Sequence, residues 1–331
     1  MIDDWLNSCY EQNLVSVIIP CHNQERFLLS CLDSVIDQDY RPIEVIIVDD
    51  GSSDGTRRIM NDFRSAQRNG IVVKCIYQSQ HGAPHARNQG CRQAKGEFIQ
   101  FLDGDDILCS GKLSGQIDVF KNNKDIDVVY GDGQFLIHDC ENLVRKDSII
   151  SIGVSSDIIE SLLTGEWVPV FSYLSRRSAI ISCGPWNNTL KINQDFEYFL
   201  RMAIQRCKFY YRAGITGLYR KHSSNSISEQ TVSILGRTTR IILCRAEYSL
   251  KEQGGFTEQR ISAMVEYYRR IARQVYPMDI ECFENSINDV LRLCPQYLPK
   301  SNRARIISKI IGFRNYEKIA ARISHFTCKV S

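Results

Sequence analysis

The chain of 331 residues lacks any apolar run long enough to cross a bilayer: about 18 uninterrupted residues are needed, and its longest runs, such as Val45–Val48, are strand-sized. No membrane-spanning helix is expected. Its opening residues, Met1-Ile2-Asp3-Asp4-Trp5, are acidic where an export signal is basic and then apolar, so a cytoplasmic protein is expected. Thirteen cysteines are scattered without one Cys-x-x-Cys, which speaks against a metal knuckle or a disulfide framework and for free, mostly buried thiols. There is no G-x-G-x-x-G after the first strand-like run, and no G-x-S-x-G. Gly104 with Gly111-Lys112 fails the P-loop pattern, because the spacing is too long and Leu113 stands where Ser or Thr is required. Dehydrogenase, P-loop and serine-hydrolase readings lose their main support.

What is present is an ordinary globular composition, 43% hydrophobic and 24% charged, with two alternating periodicities. Leu14–Pro20, Ile43–Val48, Ile71–Ile76 and Phe98–Leu102 are short, β-branched-rich runs that read as strands buried on both faces. Between them lie helical patterns: Phe27 to Ile36 opening after Asn23 as a cap, then Asp54–Arg68 and Ala83–Ala94. This alternation predicts an α/β fold with a Rossmann-like, mostly parallel sheet flanked by helices. Further strands are expected at Asp127–Tyr130, Val170–Leu174, Phe209–Tyr211 and Leu218–Arg220, with a helix at Asn193–Gln205. Beyond residue 228 the strand signal fades into long helical patterns, Leu235–Gln253 and Glu258–Val275. Two domains are therefore expected, a catalytic one over 1–228 and a helical C-terminal extension over 229–331.

Ligands of a parallel sheet bind beyond the carboxyl ends of its strands. Three polar clusters fall there: Cys21-His22-Asn23, Asp49-Asp50-Gly51-Ser52 and Asp103-Gly104-Asp105-Asp106. Carboxylates crowded at a strand end repel one another, a cost that solvent or a divalent cation relieves, and Mg²⁺ or Mn²⁺ favours a few carboxylates completed by phosphate oxygens. A diphosphate-bearing ligand is the natural complement.

Six segments in order resemble the motifs of family 2 glycosyltransferases with the GT-A fold. They are VSVIIPCHNQERFL (Val15–Leu28), VIIVDDGSSDGT (Val45–Thr56), GAPHARNQG (Gly82–Gly90), FLDGDD (Phe101–Asp106), NQDFEYFLRMA (Asn193–Ala203) and YRKHSSNSIS (Tyr219–Ser228). The resemblance implies that Pro20, His22, Asn23 and Glu25 form the first nucleotide-contacting loop, His22 standing where the family usually has an aromatic ring. It implies that Asp50 receives the base edge, that Arg87 orients Asp103 or meets the nucleotide, and that Asp103 with Gly104 meets the ribose. Asp105 would hold the cation, with Asp106 in reserve, and His222, beside Arg220 and Lys221, would close over the diphosphate and join the metal site. Asp195 matches the catalytic base, in a Glu-Asp pair that here reads Gln194-Asp195; Glu197 is the weaker candidate. On the residues alone, Asn23 and Glu25 equally suit helix caps, Arg87 a structural ion pair, Glu197 a solvated surface acid, and Trp167 and Trp186 either sugar-stacking or core positions.

The implied reaction is an inverting, Mn²⁺- or Mg²⁺-dependent transfer of a sugar from a nucleotide-diphosphate sugar, with UDP the expected nucleotide, to a hydroxyl of a saccharide or lipid-linked acceptor. Polysaccharide or glycolipid assembly is the setting the family suggests, and no nucleic-acid partner is indicated. A sugar-phosphate nucleotidyltransferase, or a catalytically silent nucleotide-sugar-binding protein, remains open. Finally, Lys300 to Ser331 carries eight basic residues against the single acid Glu317, with apolar residues recurring at helical spacing. Such a tail either docks on the body or lies on the anionic inner face of the cell membrane.

Overall fold

A computed structural model describes residues 6, 10–66, 70–139, 142–221 and 229–329. The chain divides into two compact units, one of residues 1–158 and 166–223 and the other of 159–165 and 224–331. The sequence pattern put a single boundary at 228; the structure also assigns the short segment 159–165 to the second unit.

In the first unit β1 (Glu11–Cys21), β2 (Ile43–Asp50), β3 (Ile71–Gln78) and β4 (Gly96–Phe101) pair in parallel in the order β3-β2-β1-β4. Every residue of β2 is buried, which explains its unbroken Ile/Val run. Helices α1 (Leu28–Ile36), α2 (Thr56–Ser65) and α3 (Ala83–Gln93) join these strands. Continuing the sheet are β5 (Ile107–Leu108), β6 (Val128–Asp139), β7 (Asn142–Ile150), β8 (Leu174–Arg176) and β9 (Phe209–Lys221). In this half β4–β8, β8–β6, β6–β7 and β5–β9 are antiparallel, and only β6–β9 is parallel, so the nine-stranded sheet is mixed. Helices α4 (Lys112–Asn122), α6 (Arg177–Cys183) and α7 (Gln194–Ile204) complete the first unit, while α5 (Ile158–Leu163) lies, but for Ile158, in the segment that belongs to the second.

Several sequence expectations change. Val170–Ser172 is a single 3₁₀ turn after Pro169, whose fixed φ of −58° sets up the turn, and the strand begins only at Leu174. The expected strands at 209–211 and 218–220 are one strand, kinked where Gly214 takes a φ of 123° and the register with β6 shifts. The β6–β7 hairpin was foreseen only over its first residues. Asn23 does not cap α1: it sits at φ 53°, and the helix starts at Leu28 with no side-chain cap.

The second unit contains the long helices α8 (Glu229–Glu252), α9 (Glu258–Val275) and α10 (Ile280–Leu293), followed by α11 (Asn302–Ile311) and α12 (Phe313–Lys329). Thr257, Asp279 and Ser301 cap α9, α10 and α11 through side-chain oxygens that accept from backbone N–H groups. Met264, Tyr268, Ile271, Phe283 and Ile287 form part of its buried core.

Candidate active site

Parallel pairing points the carboxyl ends of β1, β2 and β4 the same way, Cys21 opposite Asp49 and β4 ending at Phe101 opposite Ile18. The polar segments that follow these strands therefore share one edge, where an open cleft of about 290 Å³ is lined by Pro20, Cys21, His22, Gln24, Asp50, Ala83, Arg87, Asp103, Gly104, Asp105 and Gln194. Of the expected nucleotide-binding residues, Pro20, His22, Asp50, Arg87, Asp103 and Gly104 are on this wall; Asn23 and Glu25 are not. Instead the Asn23 Oδ1 accepts from the Ser53 N–H at 2.9 Å and Glu25 Oε2 from the Gly55 N–H at 2.9 Å, so both brace the loop after β2. Cys21, from the first polar cluster, is on the wall as well, and Gln24 and Ala83 take wall positions to which the motifs gave no role.

Asp50 is buried and engaged from both sides. Its Oδ1 accepts from Gln78 Nε2 (2.6 Å) and the His81 N–H (2.8 Å), and its Oδ2 from the Gly82 N–H (2.7 Å). The carboxylate thus holds the Gln78–Gly82 loop against the cleft as well as facing it. His22 is fixed next to it: Nδ1–H donates to the Asp50 carbonyl at 2.9 Å, a contact only a donor can make, so Nε2 is the acceptor for Gln80 Nε2 at 3.2 Å. Asp49 has a bracing part: its Oδ1 accepts from the Ser52 N–H and its Oδ2 from the Arg57 guanidinium.

Arg87 reaches the cleft because α3 lies unusually close to the sheet. A Cβ on Gly90 would come within 2.3 Å of Ile18 Cγ2, an approach only glycine allows. The buried guanidinium donates to Asp103 Oδ1 at 2.6 Å and to Gln194 Oε1 at 3.0 Å, and lies over the Trp186 ring with its carbon 4.6 Å from the centroid. Gln194 is itself oriented by donating to the Leu190 and Lys191 carbonyls. A neutral amide at 194 leaves Asp103 as the ion-pair partner of Arg87, where a glutamate would add a second negative charge. Asn88 grips the other side of this region, donating to the Trp186 carbonyl and accepting from its N–H. Trp186 is core, stacked on Tyr198 at 4.0 Å, whereas Trp167 is partly exposed and edge-on to Tyr219.

Asp195 lies in the first turn of α7, half-buried, its Oδ1 accepting from the Phe196 N–H. Burial holds its carboxyl above the ordinary aspartate range against the opposing pull of that N–H and of Arg87. Glu197 is no solvated acid: both its oxygens are ion-paired to Arg201, which also holds the Pro185 carbonyl. Asp106 is buried behind the cleft and accepts from the Arg220 N–H, so the reserve ligand points away; burial first, then Asp105 and Asp103, push its carboxyl well up. Arg220, expected beside the diphosphate, is likewise buried and donates to the Asp105 carbonyl at 2.6 Å. The phenol of Tyr219 is raised by burial and then by Asp106, Asp103, Asp195 and Asp105, so one ring feels the whole acidic set. His222 lies outside the described residues.

Among the described residues no three His, Cys, Asp or Glu side chains gather as metal ligands. The cleft offers Asp105 and the Arg87-bound Asp103. Two carboxylates lining an open cleft do not make the closed cage of a structural zinc site, but they fit a hard cation that keeps water and takes phosphate oxygens. The described cysteines are free thiols, with Cys21, Cys31, Cys91, Cys183 and Cys282 buried.

A mixed sheet of this order with a strand-end cleft is similar to that of GT-A-fold proteins. Residues 16–147 match the family model described as glycosyl transferase family 2, so the resemblance drawn from the motifs holds over that segment, which ends before Asn193–Ala203 and Tyr219–Ser228. Glycosyltransferase GlyG of Streptococcus pneumoniae is 35% identical over 119 residues, 36% of this chain and 38% of that protein. An uncharacterized glycosyltransferase of Haemophilus influenzae is 30% identical over 168 residues, 50% of this chain and 64% of its own length. The chain spans about a third of the length of relatives such as GlyG and the uncharacterized glycosyltransferase EpsJ of Bacillus subtilis. In fold it is similar to S. aureus TarS 1-349 in complex with UDP-GlcNAc, with a TM-score of 0.54 at 18% identity over 87% of this chain and 94% of that one. It is also similar to the mannosyltransferase PcManGT of Pyrobaculum calidifontis in complex with GDP-Man and Mn²⁺, with a TM-score of 0.56 at 12% identity over 98% and 92%. The fold is therefore GT-A-like with C-terminal helices.

Proposed function

We propose that this protein is an inverting, divalent-cation-dependent glycosyltransferase that moves a sugar from a nucleotide-diphosphate donor, UDP-linked in the first instance, to a hydroxyl of a saccharide or lipid-linked acceptor. The observation that carries the reading is the cleft itself, where Asp50, His22, Asp103 and Asp105 converge around the buried Arg87, with Asp195 one residue from the wall. The UDP-GlcNAc and GDP-Man complexes of the two structural neighbours support a nucleotide-sugar donor.

In this reading the wall from Pro20 to Gln24 and the loop held by Asp50 receive the nucleoside. Arg87 keeps Asp103 facing the ribose and contributes positive potential to the diphosphate. Asp105, with phosphate oxygens and water, would hold Mn²⁺ or Mg²⁺, which as a Lewis acid neutralises charge on the departing diphosphate. Asp195 takes the proton from the acceptor hydroxyl as it attacks the anomeric carbon opposite the leaving group, a step for which a placed base is worth ~10²–10⁴-fold. A single displacement inverts the anomeric configuration. The test is nucleotide release from a panel of UDP- and GDP-sugars with Mn²⁺. Release of UDP or GDP from one donor supports the reading; pyrophosphate release from UTP and a sugar phosphate instead would identify a nucleotidyltransferase, and binding of a donor without turnover a silent binder.

Among the described residues no helix is long and apolar enough to cross a membrane. We infer that the enzyme acts on the cytoplasmic side, in assembly of a surface polysaccharide or glycolipid.

A further inference from the structure

The last described helices have their burial pattern reversed. On α11 the buried side chains are the small Ala304 and Ser308, while Ile306 is 60% exposed and Ile310 76%, with Ile307 also exposed. On α12, Ala321 and Glu317 are buried, and Ile319 and Ile323 are exposed, Ile323 at 61%. Turning aliphatic side chains to water and small or polar ones inward forfeits burial that the same helices would gain by rotating, so the orientation is held by something else. That holding contact is visible: buried Glu317 is ion-paired with Arg273 and Arg269 of α9, and Arg314 and Lys318 of α12 bind Glu284 of α10. These pairs fix which face of α12 points inward. Ser301 caps α11, which packs on α12 and is tied through Arg305 to the Pro299 carbonyl.

The charge on this surface has one sign. Lys300, Arg303, Arg305, Lys309 and Arg322 are exposed in the same stretch of chain as the isoleucines, and the only acid from Lys300 to the end is the buried Glu317. Projected at 100° per residue, Ile306, Ile310 and Ile307 of α11 occupy one arc, which Arg303 of the first turn shares, with Lys309 and Arg305 beside it. An apolar arc with a cationic flank and no exposed acid is the profile of a helix that lies in a lipid interface, where the aliphatic side chains enter the acyl boundary and the cations meet phosphates.

We propose that the exposed faces of α11 and α12 are a docking surface for an anionic lipid bilayer, with Ile306, Ile310 and Ile323 as the inserting side chains. The inference rests on the second unit alone and stands whether or not the first unit transfers a sugar.

The test is cosedimentation of the full chain with vesicles of phosphatidylcholine alone and with 30 mol% phosphatidylglycerol added. Expected are pelleting with the anionic vesicles only and its loss as salt rises from 0.05 to 0.5 M, since the screening length shrinks from roughly 14 to 4 Å. In Arg303→Gln/Lys309→Gln, two exposed cations are removed; each near the surface multiplies partitioning roughly fivefold, so a drop of roughly thirtyfold is expected. Ile306→Ser/Ile310→Ser removes apolar insertion and is expected to lower partitioning at every salt concentration, with an unchanged circular dichroism melt showing that the fold persists. Equal pelleting with both vesicle types, pelleting with neither, or wild-type partitioning of both double variants overturns the proposal. So does a concentration-dependent dimer in vesicle-free solution that Ile306→Ser/Ile310→Ser abolishes, because the face would then belong to a second copy.

Discussion

Asp50→Asn is the sharpest probe of how the site is built, because the substitution keeps the shape and removes one acceptor. In the native structure both carboxylate oxygens accept, Oδ1 from Gln78 Nε2 and the His81 N–H, Oδ2 from the Gly82 N–H, all within 2.6–2.8 Å. An amide must turn its NH₂ toward one of those two backbone N–H groups whichever way it is oriented; flipping the Gln78 amide repairs only the side-chain contact. One backbone donor is then left facing another donor in a buried place. Loss of a hydrogen bond to a charged group costs about 1.5–3 kcal/mol, and stranding a buried donor about 1–3 kcal/mol, so the sum after relaxation should be about 2–4 kcal/mol. Trp167 and Trp186 both belong to the first unit, so their emission during urea unfolding follows that unit. We expect a midpoint shift corresponding to about 2–4 kcal/mol and a weakened UDP affinity by calorimetry, since the loop Asp50 holds forms the cleft wall. Gln78→Ala should cost about 1 kcal/mol, because it removes one side-chain partner and strands none of the backbone donors. A midpoint within about 0.5 kcal/mol of wild type for Asp50→Asn would refute the bracing role and leave Asp50 as a ligand contact alone.

For Asp195→Asn, transfer should fall by orders of magnitude with UDP affinity near wild type; turnover above about a tenth of wild type would point to another base. The wild-type pH profile follows from burial: the carboxyl ionises above the ordinary aspartate range and must be ionised to accept a proton, so kcat should decline as pH falls through that raised value, and a profile flat down to pH 4 would contradict it. Asp105→Ala should abolish cation-dependent UDP binding, read by calorimetry with and without Mn²⁺; undiminished cation-dependent affinity would refute it. Gly90→Ala drives a methyl to 2.3 Å from Ile18 Cγ2 and should destabilise the first unit by about 1–3 kcal/mol while moving Arg87 away from Asp103; a neutral substitution would mean that α3 shifts freely on the sheet.

The alternation of buried β-branched runs with helical patterns fixed the first four strands and three helices to within a few residues. Because side-chain period and strand pairing are local consequences of composition, the chain written out flat already carried them. It also placed three polar clusters at strand ends, and parallel pairing then had to bring them together. What no local pattern held was which polar side chain looks into the cleft. Asn23 and Glu25 turn to the Ser53–Gly55 loop, Asp106 and Arg220 go behind the cleft, and Gln24, Cys21 and Ala83 come forward. These outcomes depend on groups 30 to 115 residues apart in sequence, whose hydrogen-bond needs are settled only once the sheet has formed. The antiparallel half was hard to read for the same reason: β8 has three residues and is a strand only because β4 and β6 flank it. In the second unit the apolar stripe of the last helices was legible from spacing alone, but its direction was not. Ion pairs to Glu317 and Glu284 set which face turns inward, and an electrostatic contact between distant helices has no signature in the periodicity of either one.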